Sequence, residues 1–169
     1  MSTETAAPSV QDLLKSQFAF VYRTIGANIE GMSQEDSLES AGGNCANWIL
    51  GHLTNVHNAV MQLVGEAPVW DSEQLANAGF EPITDAGTAI DWDTMRTRFL
   101  ASQDRCLAGL ERLSAEDLAQ PVPHPFGGET TRGELLALLA FHQGYHAGQL
   151  GMARRTAGHA GAIKAPGQS

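Results

Sequence analysis

The sequence predicts an all-α protein, one four-helix bundle with a long crossover between its second and third helices. Four segments of roughly 20–27 residues each carry one apolar stripe at three- and four-residue steps, and such helices bury their stripes against one another. No stretch with a two-residue period competes. At 169 residues the chain suits a single domain, and a chain of about 150 residues removes nearly 70% of its unfolded surface on folding. Neither a disulfide nor a metal is needed to hold such a fold, so a metal here calls for a functional reason.

The first helix is read from about Ser9 to Gly31, with Val10, Leu13, Leu14, Phe18, Val21 and Ile25 on its stripe. The second begins near Asn44, is capped by Asn44 or Asn47, carries Ile49, Leu53, Val56, Val60 and Leu63, and stops at Gly65 and Pro68. The third starts around Thr88 or Asp91, where Asp91 and Asp93 suit the positive end of a helix, and passes through Met95, Phe99, Cys106 and Leu110 to about Leu113. The fourth opens on Thr131-x-x-Glu134, a capping-box pattern, and runs through Leu135, Leu138 and Leu139 towards Arg154 and Arg155, with Gly158 closing it. The first connection is about a dozen residues, whereas Glu66–Gly87 reaches roughly 20 or more, enough to return along the bundle and leave the second and third helices parallel. In the last connection SAEDLAQ reads as a short helical turn, and the three prolines of PVPHPFGGE exclude a regular helix and leave a rigid loop or hairpin. The bundle is expected over residues 9–157, with tails at 1–8 and 158–169.

Ten Lys and Arg against 19 Asp and Glu leave a net charge of −9, which on average repels nucleic acid and anionic membrane surfaces. The most apolar run, Leu135–Phe141, is far shorter than the roughly 18–20 residues of a membrane span, and MSTETAAPSV lacks the regions of a secretion signal. A cytoplasmic protein with a small-molecule substrate, and neither a nucleic-acid nor a membrane partner, is expected. Cys45 and Cys106 make no disulfide framework and read as buried thiols.

Chemistry concentrates on the fourth helix. At about 100° per residue with Leu135 at zero, Leu138 falls at about −60°, Leu139 at +40°, His142 at −20°, His146 at +20° and Gln149 at −40°. Three polar side chains thus share the stripe set by the leucines, and an unpartnered buried polar group costs about 1–3 kcal/mol, so a compensating interaction is required. His142 and His146 stand one turn apart, the spacing with which two imidazoles bind one metal ion; a His–His–Gln hydrogen-bond network is the alternative. Among the other histidines, His52 in W-I-L-G-H-L is preferred as a third ligand, because it edges the apolar face of the second helix beside Gly51, which lets a facing helix approach. Cys45 is seven residues from His52, about 10.5 Å along the axis, so the two cannot share an ion. Gln143 occupies the place of the glutamate in the H-E-x-x-H pattern, so a thermolysin-like mechanism lacks its base. His57, His124 and His159 read as surface or loop residues, with His124 in the proline-rich segment able to reach the bundle end where a substrate enters. Tyr145 and Trp48 lie beside the three histidines as packing or pocket residues.

N-W-I-L-G-H-L on the second helix, together with T-T-R-G-E-L-L-A-L-L-A-F-H-Q-G-Y-H-A-G-Q-L on the fourth, resembles the DinB/YfiT-like superfamily over about residues 9–157. The resemblance implies a four-helix fold, a three-histidine site for Zn, Ni, Mn or Fe and a homodimer. Carried over position by position, it implies His52, His142 and His146 as ligands, with Gln149 supporting them rather than ligating. Members include S-transferases that use bacillithiol, mycothiol or glutathione, a maleylpyruvate isomerase and hydrolases. The expectation is a metal-dependent transferase that moves a low-molecular-weight thiol onto a small electrophile. A metal-dependent hydrolase, a non-catalytic metal- or ligand-binding dimer and a purely structural bundle with hydrogen-bonded histidines are the alternatives. A hydrolase lacks a carboxylate base near the three histidines, since Glu134 is two turns from His142 and none lies between Cys45 and Gly65.

Overall fold

The computed structural model describes residues 7–76 and 81–163. Four long helices form the bundle: α1 (Val10–Ile29), α3 (Ala46–Leu63), α5 (Trp92–Arg112) and α7 (Arg132–Thr156). Between them lie α2 (Gln34–Leu38), α4 (Glu73–Ala76), a 3-10 turn at Ala86–Thr88, α6 (Ala115–Ala119) and an antiparallel hairpin of β1 (Pro121–Pro123) and β2 (Glu129–Thr131).

Local chemistry fixes most helix starts. Ser9, Ser33, Ser114 and Thr131 each accept a hydrogen bond from a backbone N–H three residues on, and the acidic side chain there (Asp12, Asp36, Asp117, Glu134) accepts from the cap's own N–H. Asp91 caps α5 by accepting from the Thr94 N–H. The exception is α3. Its cap is Cys45, with no side-chain bond, and neither Asn44 nor Asn47 serves as expected. Asn47 is fully buried: its Nδ2 donates to the Ile90 carbonyl at 2.8 Å and its Oδ1 accepts from the Ile90 N–H at 3.1 Å. A partner 43 residues away claims the amide and straps the crossover to the start of α3.

The long helices run up, down, down, up. Gln11 donates to the Leu113 carbonyl at 3.0 Å while Tyr22 faces Phe99, so α1 and α5 are antiparallel. Leu14 lies beside Glu134 and Asn28 donates to the Ala147 carbonyl at 2.9 Å, so α1 and α7 are parallel. Asn47 meets Ile90 and Val64 meets Gly109, so α3 and α5 are parallel, as a long crossover permits. Val56 lies beside Leu138 and Ile49 beside Ala153, which sets α3 antiparallel to α7. One half of the core gathers Ile25, Leu53, Phe99 and Leu150, the other Phe18, Val60, Leu110 and Leu136. No described helix is long and apolar enough to cross a membrane.

After α7 the chain turns at Gly158, where φ is +84°. His159 Nε2 reaches Asp36 Oδ2 at 3.1 Å and Arg154 Nε donates to the Ala160 carbonyl at 2.8 Å, so residues 158–160 rest on the bundle rather than fray. Of the expected tails, residues 1–6 and 164–169 lie outside the described residues.

The α3–α5 contact depends on Gly109, where an added Cβ would stand 2.8 Å from Val64 Cβ and Cγ2 and 3.0 Å from its carbonyl oxygen. Replacing a helical glycine with alanine gains at most about 1 kcal/mol of propensity, whereas overpacking a core costs typically about 1–3 kcal/mol. Gly109→Ala is therefore expected to lower the denaturation midpoint, and Gly148→Ala, with nothing within 4 Å, to leave it unchanged or raise it. Equilibrium urea unfolding of both variants checks this.

Candidate metal centre

His142 and His146 project from adjacent turns of α7, and the antiparallel α3 presents His52 to the same point. His142 Nε2 lies 3.1 Å from His52 Nε2 and 3.1 Å from His146 Nε2. The ligand atoms of all three residues lie within 4.8 Å of one another. His146 is buried, and His52 and His142 are half-buried, so one side of the cluster faces solvent.

The surroundings orient the rings. Gln149 Oε1 stands 2.7 Å from His146 Nδ1, and its Nε2 donates to the Tyr145 hydroxyl at 3.3 Å. With Oε1 as acceptor, His146 carries its proton on Nδ1 and turns the Nε2 lone pair towards the other rings. Trp48 stacks on His52 with ring centres 5.4 Å apart and planes 17° apart, and its Nε1 donates to the Glu81 carbonyl at 3.0 Å. Desolvation, aided by the neighbouring imidazoles, holds His142 down to about 4. Burial and then His146 lower His52, and burial lowers His146 against an opposing bond from Gln149. The cluster is neutral at pH 7, the form in which imidazole binds metal.

These residues fit a divalent ion. A neutral imidazole nitrogen offers either an N–H or a lone pair. With His146 Nε2 fixed as a lone pair, no choice of protons lets His142 Nε2 bond both neighbours well, because a donor there is shared and an acceptor there faces a second lone pair. One cation accepts three lone pairs together. Ligand nitrogens at 2.0–2.1 Å around a tetrahedral ion stand about 3.3 Å apart, close to the two observed separations of 3.1 Å. His142 Nδ1 is buried without a hydrogen-bond partner among the described residues. No carboxylate or thiol joins the group among the described residues.

The structure rotates one expectation. The buried face of α7 is formed by Leu135, Leu136, Leu139, Ala140, Gln143, His146, Ala147, Leu150 and Ala153, centred about 60° round from Leu135. The His142–His146 pair therefore edges the core stripe instead of centring it, and Gln149 is only half-buried. A wheel drawn on leucines alone overlooks the alanines that let α1 and α3 approach. The same oversight hides Gln143 and His57. His57 is not a surface residue: it is fully buried, because α3 packs between α5 and α7 and both edges of its stripe are covered. Gln143 Nε2 lies 3.0 Å from His57 Nδ1, and His57 Nε2 lies 3.4 Å from the Tyr22 hydroxyl. This polar bridge sits where the two halves of the core meet. His124 stays in the hairpin, where its Nδ1 accepts from the Phe126 N–H at 3.2 Å, and it does not join the cluster. His159 is part-buried against Asp36. Cys45 and Cys106 are both buried.

A family model described as the DinB superfamily matches residues 8–150. Among solved structures, a conserved protein from Enterococcus faecalis aligns with a TM-score of 0.68 at 16% identity, over 89% of this chain and 98% of that one. YfiT from Bacillus subtilis, described as a probable metal-dependent hydrolase with an unusual four-helix bundle topology, aligns with a TM-score of 0.66 at 16% identity, over 95% of this chain and 94% of that one. No curated protein sequence matches the chain significantly.

Burial lowers His57 from 6.5 to about 3 and His142 from 6.5 to about 4. In the metal-free chain the unfolded state binds these protons first as pH falls, so stability is complete above pH 6.5 and declines from there towards pH 4. Replacing the buried pair together, His57→Leu with Gln143→Leu, removes one of these groups and is expected to make the decline shallower. Urea titrations of the metal-free protein between pH 7.5 and 4.5 measure both slopes, and equal slopes would exclude His57 as a source.

Proposed function

The chain belongs to the DinB superfamily, and from that premise we propose that it is a divalent-metal enzyme, its ion held by His52, His142 and His146, that transfers a low-molecular-weight thiol to a small electrophile. The observation that carries this reading is the convergence of three neutral imidazole nitrogens on one half-open point, with no carboxylate or thiol of the described chain beside them. Bound by these three imidazoles, a divalent ion would supply Lewis-acid chemistry that lowers the pKa of a thiol or of water.

The chain's own residues set the conditions. Gln149 holds His146 in the tautomer that directs Nε2 inward, and Trp48 covers one face of His52. The nucleophile has to come from outside. Cys106 is fully buried, with desolvation the main cause that raises its thiol to about 11, and Cys45 is buried at the start of α3. Water is the second reading, favoured by the description of YfiT as a probable metal-dependent hydrolase. Against it stands Gln143, which occupies the position of a general base and instead bonds His57 in the core. We further infer a cytoplasmic homodimer, for which the exposed apolar side chains Phe20 and Met152 on α1 and α7 provide surface.

Metal-loaded protein, incubated with bacillithiol, mycothiol or glutathione and a chlorinated aromatic electrophile, is expected to form the thioether faster than the free ion does. His146→Ala is expected to lose both the metal and the reaction while keeping its helical circular dichroism. Gln149→Leu is expected to weaken metal binding by about 10–100-fold, the usual effect of removing a partner that orients a ligand. Product formation no faster than with free ion rejects the transferase, and ester cleavage without added thiol favours the hydrolase.

A further inference from the structure

The α3–α7 seam that holds the three imidazoles continues beyond them. One turn on from His52 along α3 is Val56, and one turn back from His142 along α7 is Leu138, each about 6 Å along its axis. Between these turns lies a groove of about 460 Å³, bordered also by Phe141, Tyr145 and the Pro125–Phe126 segment of the hairpin. That volume is in the range of sites that enclose small molecules, about 300–1,000 Å³.

One lining residue belongs to the imidazole cluster and a second is bonded to it through Gln149. His142 forms one wall, and the Tyr145 hydroxyl is linked through Gln149 to His146. Among the described residues, no charged side chain lines the groove. A different pocket also touches Gln149, but it is walled by the Glu39–Asn44 loop and includes none of the three imidazoles.

The rim is built to hold an aromatic ring in water. Phe126 is 88% exposed and Phe141 68% exposed, and both line the groove. The hairpin fixes Phe126 through three hydrogen bonds: the Phe126 N–H to His124 Nδ1 at 3.2 Å, the Gly127 N–H to the His124 carbonyl at 3.0 Å and the His124 N–H to the Gly128 carbonyl at 3.0 Å. Gly127 and Gly128 turn the chain there at φ of +98° and +80°. Exposed apolar side chains that line one groove beside the three imidazoles form a surface suited to binding.

We propose that this groove seats the uncharged, apolar body of the substrate, an aromatic or branched aliphatic group, and presents its reactive atom to the His52–His142–His146 cluster. This inference rests on the metal-enzyme reading above for the reaction, but not for the binding. It makes Phe126 and Phe141 specificity-determining residues, and His124 a positioning residue for the rim.

The neutral fluorophore N-phenyl-1-naphthylamine tests it on the full chain, metal-free, Zn-loaded and Co-loaded. The expected result is saturable binding, weakened about tenfold by Phe126→Ser and by Phe141→Ser, a loss in keeping with removal of part of one aromatic contact. Both residues are exposed, so circular dichroism and the urea midpoint are expected to stay unchanged. The Co-loaded chain is expected to quench the bound probe more than the Zn-loaded chain, which reports nearness to the cluster. Probe binding indifferent to both substitutions, or equal quenching by the two ions, overturns the proposal. So does a shift from dimer to monomer in sedimentation with probe binding unchanged, which would make a second copy the occupant. If no metal is taken up but the two substitutions still weaken the probe, the groove assignment stands and the metal-enzyme reading alone fails.

Discussion

A neutral imidazole has one N–H and one lone pair, and this limit governs the centre of the molecule. Three Nε2 atoms converge within the α3–α7 seam, and Gln149 has already committed the His146 proton to Nδ1. The remaining protons cannot satisfy every contact at 3.1 Å, so a hydrogen-bonded histidine core leaves a lone pair facing a lone pair or a proton shared two ways. The arrangement resolves when the lone pairs share a cation. Desolvation acts in the same direction: it keeps the rings neutral and so keeps protons from competing for those lone pairs.

The bundle makes that convergence a consequence of packing. His52 and His142 face each other because α3 runs antiparallel to α7, and α3 can do so only while parallel to α5, which the crossover from Val64 to Asp91 provides. Asn47 clips the end of that crossover to the start of α3 through both polar atoms of its amide. One turn beyond His52, the buried His57–Gln143 bond ties the two helices at the junction of the core's halves. A slip of either helix would break this buried polar bond, at about 1–3 kcal/mol, as well as separate the three imidazoles. The centre therefore lies at the edge of the core stripe, fixed on its inner side and open on its outer side, where the groove begins.

Much of this was legible in the sequence, and the failures have physical causes. The capping boxes at Ser9 and Thr131 mark the starts of α1 and α7 because their partners lie three residues away. The one-turn spacing of His142 and His146, and Gly51 beside His52, point to the residues whose rings the structure brings together. Asn47 reads locally as a cap, but its partner, Ile90, lies in a distant loop. The five residues of α2 and the four of α4 are too few to display a helical period. A wheel of α3 with one buried stripe puts His57 at the surface, whereas a helix packed between two others buries both edges. Nothing local to Gln143 announces that its amide answers a histidine on another helix.

The most direct test of the account is X-ray absorption of the Zn-loaded chain. The arrangement predicts a first shell of three imidazole nitrogens at about 2.0–2.1 Å, completed by a light atom from solvent and without sulfur. A shell containing sulfur, or one with fewer than three imidazoles, would contradict it.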